Sequence, residues 1–125
     1  MPSEYCLVCF AEIPPGSRLC PACGRNIDAW ARETPYTQRL IHALGHPHPQ
    51  VRMAAIISLQ HRADPAAADP LAECALAHPI DVVQGLAVVD ALSHLPASPQ
   101  VRDALRRLAG HPARAVREAA GSPHV

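Results

Sequence analysis

The chain has 125 residues, 49% of them hydrophobic, with 11 basic side chains, all arginine, balanced by 11 acidic ones. That length allows one modest core with a small appended module, and no stretch approaches the roughly 20 apolar residues of a membrane-spanning helix. Both parts of the chain are close to neutral, which argues against a nucleic-acid footprint, since that needs a surplus of cations. The opening MPSEYC lacks a basic region followed by an apolar run, so no secretory signal is visible. A cytoplasmic location is expected, where cysteines stay reduced and serve metals or catalysis. Arginine without lysine, with abundant Ala and Pro, reads as the coding bias of a GC-rich, bacterial genome.

Residues 5–24, YCLVCFAEIPPGSRLCPACG, hold four of the five cysteines as two CxxC pairs, Cys6/Cys9 and Cys20/Cys23, ten residues apart. A CxxC turn points two thiolates at one ion about 2.3 Å away, and two such turns complete a tetrahedron. The intervening FAEIPPGSRL reads as strand, Pro-Pro-Gly-Ser turn, strand, which would bring the two knuckles face to face. Gly24 suits the tight turn that aims backbone N–H groups at sulfur. Some two dozen residues cannot bury enough apolar area to fold alone, and a structural zinc supplies about 10 kcal/mol or more. The competing readings are two disulfides or a redox CxxC, although no βαβ pattern accompanies the pairs. With four thiolates bound, the ion has no open coordination position and supports no catalysis.

CPACG and IPPGSRL resemble the second knuckle and its lead-in of short bacterial zinc ribbons, over residues 4–27. The resemblance implies one structural zinc on Cys6, Cys9, Cys20 and Cys23. Phe10 departs from it, standing where many members have glycine. All four aromatic residues (Tyr5, Phe10, Trp30 and Tyr36) lie at or before position 36. This break divides the chain near Thr34-Pro35 into a ribbon with a short linker helix, residues 1–33, and a second unit, residues 34–125.

The second unit repeats itself about every 32–33 residues, with repeats near 34–61, 64–94 and 98–121. His-Pro recurs at 46–47, 78–79 and 111–112; Val51, Val83 and Val116 follow in one slot, and Arg52, Gln84 and Arg117 in the next. Such repetition marks stacked helical hairpins, none able to bury its apolar face without its neighbours. Thr34-Pro35, Asp64-Pro65 and Ser98-Pro99 each read as a helix start, a cap residue before proline. The His-Pro turns lead into second helices beginning near Pro49, Ile80 and Ala113, six helices in all. Pro70 should bend or break the first helix of its repeat. Leu40, Ile41 and Leu44 form one apolar stripe, and Leu86, Val89 and Leu92 another.

ALGHPHPQVRMAAIISL resembles the HEAT-repeat family, especially the short HEAT-like repeats first associated with phycobilin lyases, and the likeness extends over roughly 35–120. It implies a mainly α fold, an α-solenoid of about three hairpins behind the small β zinc ribbon. Histidine replaces the family's usual aspartate at 46, 48, 78 and 111, which weakens the expected Asp–Arg ladder. Gln84 replaces arginine in the middle repeat, and the last hairpin ends early at GSPHV, as a C-terminal cap does. Leu7, Phe10, Ile13, Leu19 and Trp30 are candidates to cover the open face of the first hairpin.

The remaining details have ordinary explanations. His42, His46 and His48 read as turn and helix-end residues before they read as a second metal site, and Cys74 as a small core residue. Asp90 and His94 form a local i,i+4 pair. No nucleophile, base and orienter assemble, so no enzyme activity is expected. Arg102, Arg106 and Arg107, with Arg114 and Arg117 beyond, make a basic patch interrupted by Asp103 and Glu118. The expected function is an adaptor that binds another protein, with Arg52, Gln84 and Arg117 forming either the contact surface or an inter-repeat hydrogen-bond ladder. The alternatives are a nucleic-acid-associated ribbon protein, or an accessory factor related to HEAT-like lyase subunits.

Overall fold

Fourteen prolines cut the chain into short helices, because proline lacks an N–H and is accepted only in a helix's first turn. The computed structural model describes residues 4–121. Its elements are β1 (Glu4–Tyr5), β2 (Glu12–Ile13), α1 (Ile27–Glu33), α2 (Tyr36–Ala43), α3 (Pro49–Arg62), α4 (Ala68–Ala77), α5 (Val82–His94), α6 (Pro99–Leu108) and α7 (Arg114–Gly121). A 3-10 turn, Pro65–Ala67, leads into α4. The fold is an α-solenoid of three hairpins, α2–α3, α4–α5 and α6–α7, behind a two-stranded sheet. The second helices stack in order, α3 on α5 and α5 on α7, while α4 packs on α6. The closing GSPHV stretch lies, beyond Gly121, outside the described residues.

Local chemistry sets most boundaries, and it corrects several expectations. Asp64 accepts the Ala66 N–H at 2.9 Å and Ser98 the Val101 N–H at 3.2 Å, as cap residues do. Thr34 does not start a helix. Its residence before proline pushes it to extended backbone, φ −90° and ψ 125°, where it ends α1 with its N–H on the Trp30 carbonyl. Pro35 then occupies the N-cap position of α2 without a side-chain bond. Pro70 does not break its helix, because it falls in the first turn of α4, where an N–H would have no partner. The change of winding comes earlier, at the 3-10 turn. Nor do the residues between the CxxC pairs form a hairpin with each other. β2 pairs back onto β1, Glu4 opposite Ile13 and Tyr5 opposite Glu12, and Leu19 bridges forward to Asn26. Each CxxC therefore sits in the loop of its own hairpin, closed by Cys6 N–H to Ala11 O and Cys20 N–H to Arg25 O at 2.9 and 3.0 Å.

Two apolar clusters result. The larger centres on Ile56, Leu59, Leu71, Val88, Leu92 and Leu108, with alanines between them. The smaller holds Cys6, Ile13, Cys20 and Ile27, with Val8 against it. Small residues let helix axes approach. At Gly85 in α5 a Cβ would lie 2.6 Å from Val116 Cγ2, so the absence of a side chain is what lets α7 seat. Leu86 leaves its expected stripe, because Gln84, Gly85, Val88, Val89, Ala91 and Leu92 fill the buried arc of α5 and Leu86 points outward.

The first hairpin is stapled by Tyr36, whose ring lies 5.2 Å from the Arg39 guanidinium and 5.0 Å from that of Arg62. Its open face meets the cysteine unit through rings. Tyr5 packs edge-on to His46 and His48, Phe10 contacts His42 and His46, and Trp30 contacts His42, with centroids 4.8–5.2 Å apart. Of the five residues expected to cover this face, Phe10 and Trp30 do so. Ile13 is spent in the unit's own core, Leu7 borders a cleft, and Leu19 is 63% exposed.

The His-Pro turns explain why histidine can stand in for aspartate. His46 Nδ1 accepts the His48 N–H at 3.0 Å, and His111 Nδ1 accepts that of Ala113 at 2.9 Å while its Nε2 donates to Ala75 O at 3.1 Å. The neutral ring thus does what a carboxylate oxygen does in an Asx turn. Burial, then the charges of His48 and Arg52, hold His46 below its ordinary value of 6.5; burial, then Arg52, does the same to His78.

Two outcomes follow. Gly85→Ala is expected to lose about 1 kcal/mol in chemical denaturation, since the clash outweighs the gain in helix propensity. In a Val116→Ala background the same change should turn stabilising. Because the unfolded chain takes up protons first, stability should be full above about pH 6.5 and fall as pH drops through that value. The acid loss should shrink in His46→Asn, whose amide oxygen can accept the His48 N–H at any pH; parallel melts at pH 7.5 and 5.5 check this.

Candidate metal centre

The two CxxC turns are near copies of each other. The N–H groups of Val8 and Cys9 point at Cys6 Sγ, 3.4 and 3.5 Å away, and those of Ala22 and Cys23 at Cys20 Sγ, both at 3.3 Å. The turns close with Phe10 N–H to Cys6 O at 2.9 Å and Gly24 N–H to Cys20 O at 2.8 Å. Both closing residues have left-handed backbone, φ 65° at Phe10 and 76° at Gly24. Glycine takes this conformation freely, whereas a side chain there costs about 1–2 kcal/mol. Phe10 accepts that strain where its ring contacts His42 and His46.

The four Sγ atoms all lie within 4.8 Å of one another, with Cys6–Cys23 at 3.9 Å and Cys9–Cys20 at 3.6 Å. A tetrahedron of metal–thiolate bonds about 2.3 Å long has edges of about 3.8 Å, so the donor set fits a four-coordinate ion. The short contacts lie well beyond the ~2.05 Å of a disulfide, and each joins one cysteine of either pair. Cys6 and Cys20 are buried, while Cys9 and Cys23 face solvent. The N–H groups of Cys23 and Ala22 hold the Cys20 thiol down at about 6 against the effect of burial. Cys9 receives help from Ala11, but desolvation and the neighbouring sulfurs prevail and push it up to about 12. A cation held by the four sulfurs would offset the negative charge that their thiolates bring together. Among the described residues no other group of three or more His, Cys, Asp or Glu side chains converges in this way. His42, His46 and His48 are engaged with rings and backbone instead.

Arg52, Gln84 and Arg117 lie inside the solenoid's hydrogen-bond framework. Buried Arg52 donates through Nε to Gln84 Oε1 at 2.7 Å and through Nη1 to the carbonyls of His46 and Pro47 at 2.8 and 3.0 Å. Gln84 is buried too and donates to Cys74 O at 3.2 Å. Arg117 repeats the pattern on His111 O and Pro112 O at 2.9 and 2.7 Å. With Arg52 4% and Gln84 0% exposed, these two have no surface to offer a partner. The Arg–Gln bond and the carbonyl contacts stand in for an Asp–Arg ladder.

Cys74 is buried in the main core, its thiol 3.6 Å from Leu44 O. The basic patch is largely paired: Arg107 with Glu73 and Asp69, Arg106 with Asp103, Arg114 with Glu118. Sequence reasoning missed His42 as a neighbour of the centre. Its Nε2 donates to the Val8 carbonyl at 2.7 Å, between Cys6 and Cys9. The available signal was the repeat slot itself, where His42, Cys74 and Arg107 differ because each faces different surroundings.

The molecule is thus a helical repeat protein whose N-terminus carries a four-cysteine centre able to hold a metal ion. The family model for HEAT repeats matches residues 22–93, more than half of the chain, and the chain belongs to the HEAT-repeat family. The third hairpin lies beyond the matched span and repeats its pattern. No curated protein and no solved structure compared with the chain matches it. No helix among the described residues is long and apolar enough to cross a membrane.

Native mass spectrometry of the freshly purified chain is expected to show one ion per chain, absent from Cys20→Ser. A metal-free mass about four hydrogens short would instead mean two disulfides.

Proposed function

We propose that the protein is a non-catalytic adaptor that binds another protein, with one structural zinc holding its N-terminal unit folded in a reducing cytoplasm. The observation that carries this reading is the apolar surface of the second repeat. Ile80 is 93% and Val83 70% exposed, with Val82 and Leu86 beside them on α5 and Ile57 outward on α3. Single exposed apolar residues are ordinary, but four within seven residues of one turn and helix start favour an interaction surface. HEAT repeats commonly mediate protein interactions, which is an argument from the fold alone.

Zinc is favoured by the donor chemistry, since four thiolates in a tetrahedron are the usual structural site for this ion. The same count supports a role without catalysis: a fourfold-ligated ion has no position left for water or substrate. The ion pairs of Arg106, Arg107 and Arg114, with Arg52 and Arg117 committed to carbonyls, lend little to the nucleic-acid alternative.

The test compares the wild-type chain with Ile80→Asp/Val83→Asp as bait in nuclease-treated lysate. The variant should melt as the wild type does, its sites being exposed, yet lose the partner by about tenfold or more. Equal recovery by both baits would count against this surface. Partner loss on nuclease treatment, with steep salt dependence, would favour nucleic acid instead.

A further inference from the structure

We propose that His42 couples the metal centre to the solenoid, so that ligation at the four cysteines tightens the first hairpin and the hairpin in turn raises metal affinity. The inference rests on the structural-zinc reading above and adds a positioning residue from the repeat unit to that site.

The connection runs through one peptide group. His42 Nε2 donates to the Val8 carbonyl at 2.7 Å. The N–H of that same planar peptide belongs to Cys9 and points at Cys6 Sγ, 3.5 Å away. A donor on the oxygen polarises the amide and strengthens what its N–H gives to sulfur. Conversely, negative charge on sulfur polarises the same amide toward His42. The imidazole is also held by rings, with Phe10 at 4.8 Å and a 30° tilt, and Trp30 at 5.2 Å.

Phe10 adds a second, independent sign of coupling. It occupies the left-handed turn position that Gly24 fills in the other knuckle, and its strained backbone places a ring against α2 and the following turn. Metal binding fixes that turn and therefore fixes the ring. β1 extends the contact to the second helix: Tyr5 Oη lies 2.9 Å from Nε2 of His48, the residue before α3. Both helices of the hairpin are thereby tied to the unit whose own core, four residues with Val8 beside them, is too small to stand without its ion.

Such coupling is reciprocal by thermodynamic necessity, and the test reads both directions on the full chain. Zinc affinity is measured by competition with a chromophoric chelator, and amide exchange with and without Zn²⁺ is followed by mass spectrometry. Zinc should slow exchange in α2 and α3 of the wild type by about tenfold or more while leaving α6 and α7 nearly unchanged. His42→Ala should bind zinc about 10–100-fold more weakly, as loss of a group that orients a ligand does. Phe10→Gly keeps the experiment decisive should His42→Ala misfold. Glycine suits the turn, so zinc should still bind and, because the His42–Val8 bond remains, should still protect α2 and α3, though less than in the wild type. Loss of all protection in Phe10→Gly would assign the coupling to the Phe10 ring and overturn the role of His42. The coupling is overturned if zinc binds the wild type yet leaves exchange in α2 and α3 within about twofold, or if His42→Ala retains affinity within about twofold of wild type. Failure of the wild type to take up zinc at all would overturn the zinc reading itself, and the coupling with it.

Discussion

A hairpin built of alanine and leucine cannot bury its own apolar face, and everything else in this chain answers that constraint. The middle hairpin has neighbours on both sides, and its residues Leu71, Val88 and Leu92 are fully buried. The first hairpin has a neighbour on one side only. Its other side is covered by Tyr5, Phe10 and Trp30, carried on a unit that has too little core of its own. Cover therefore passes along the chain, from the knuckles to the rings they carry and from the rings to the helices of the first hairpin.

The interior solves a second problem. Turns between helices leave carbonyls and N–H groups that must be paired when buried. Aspartate would accept the turn N–H groups with a full negative charge, at a desolvation cost. Here neutral imidazoles accept the turn N–H groups, and Arg52 and Arg117 satisfy turn carbonyls. In the middle repeat, Asp81 caps α5 by accepting the Gln84 N–H, and Gln84 supplies the oxygen for Arg52. Among the described residues no buried side-chain N or O atom lacks a partner. One guanidinium thus serves two repeats.

How much of this the sequence discloses depends on the range of the physics involved. Spacing within a CxxC pair is local, and the four sulfurs converge as that spacing implies. The three hairpins announce themselves because His-Pro recurs in register, and Asp64 and Ser98 cap as short-range preference dictates. Pairing is a different matter. FAEIPPGSRL has the local marks of a hairpin, yet β2 turns back to β1 because each knuckle claims its flanking backbone for itself. Thr34 and Pro70 misled because a proline signal does not reveal which side of a break it serves. His42 was legible as a helix residue and illegible as a neighbour of Val8, since 34 positions separate them and only the fold brings them together.

The clustering of aromatic residues has an optical consequence. Trp30 is the single tryptophan, and no Phe, Tyr or Trp occurs from residue 37 onward. Every near-ultraviolet chromophore of the chain therefore stands at or beside the junction between the cysteine unit and the first hairpin. Fluorescence followed during unfolding watches that junction open and is blind to α4–α7, which speak only through the backbone signal of the far ultraviolet. The molecule carries its own reporter at the seam, while the far-ultraviolet signal sums over all its helices.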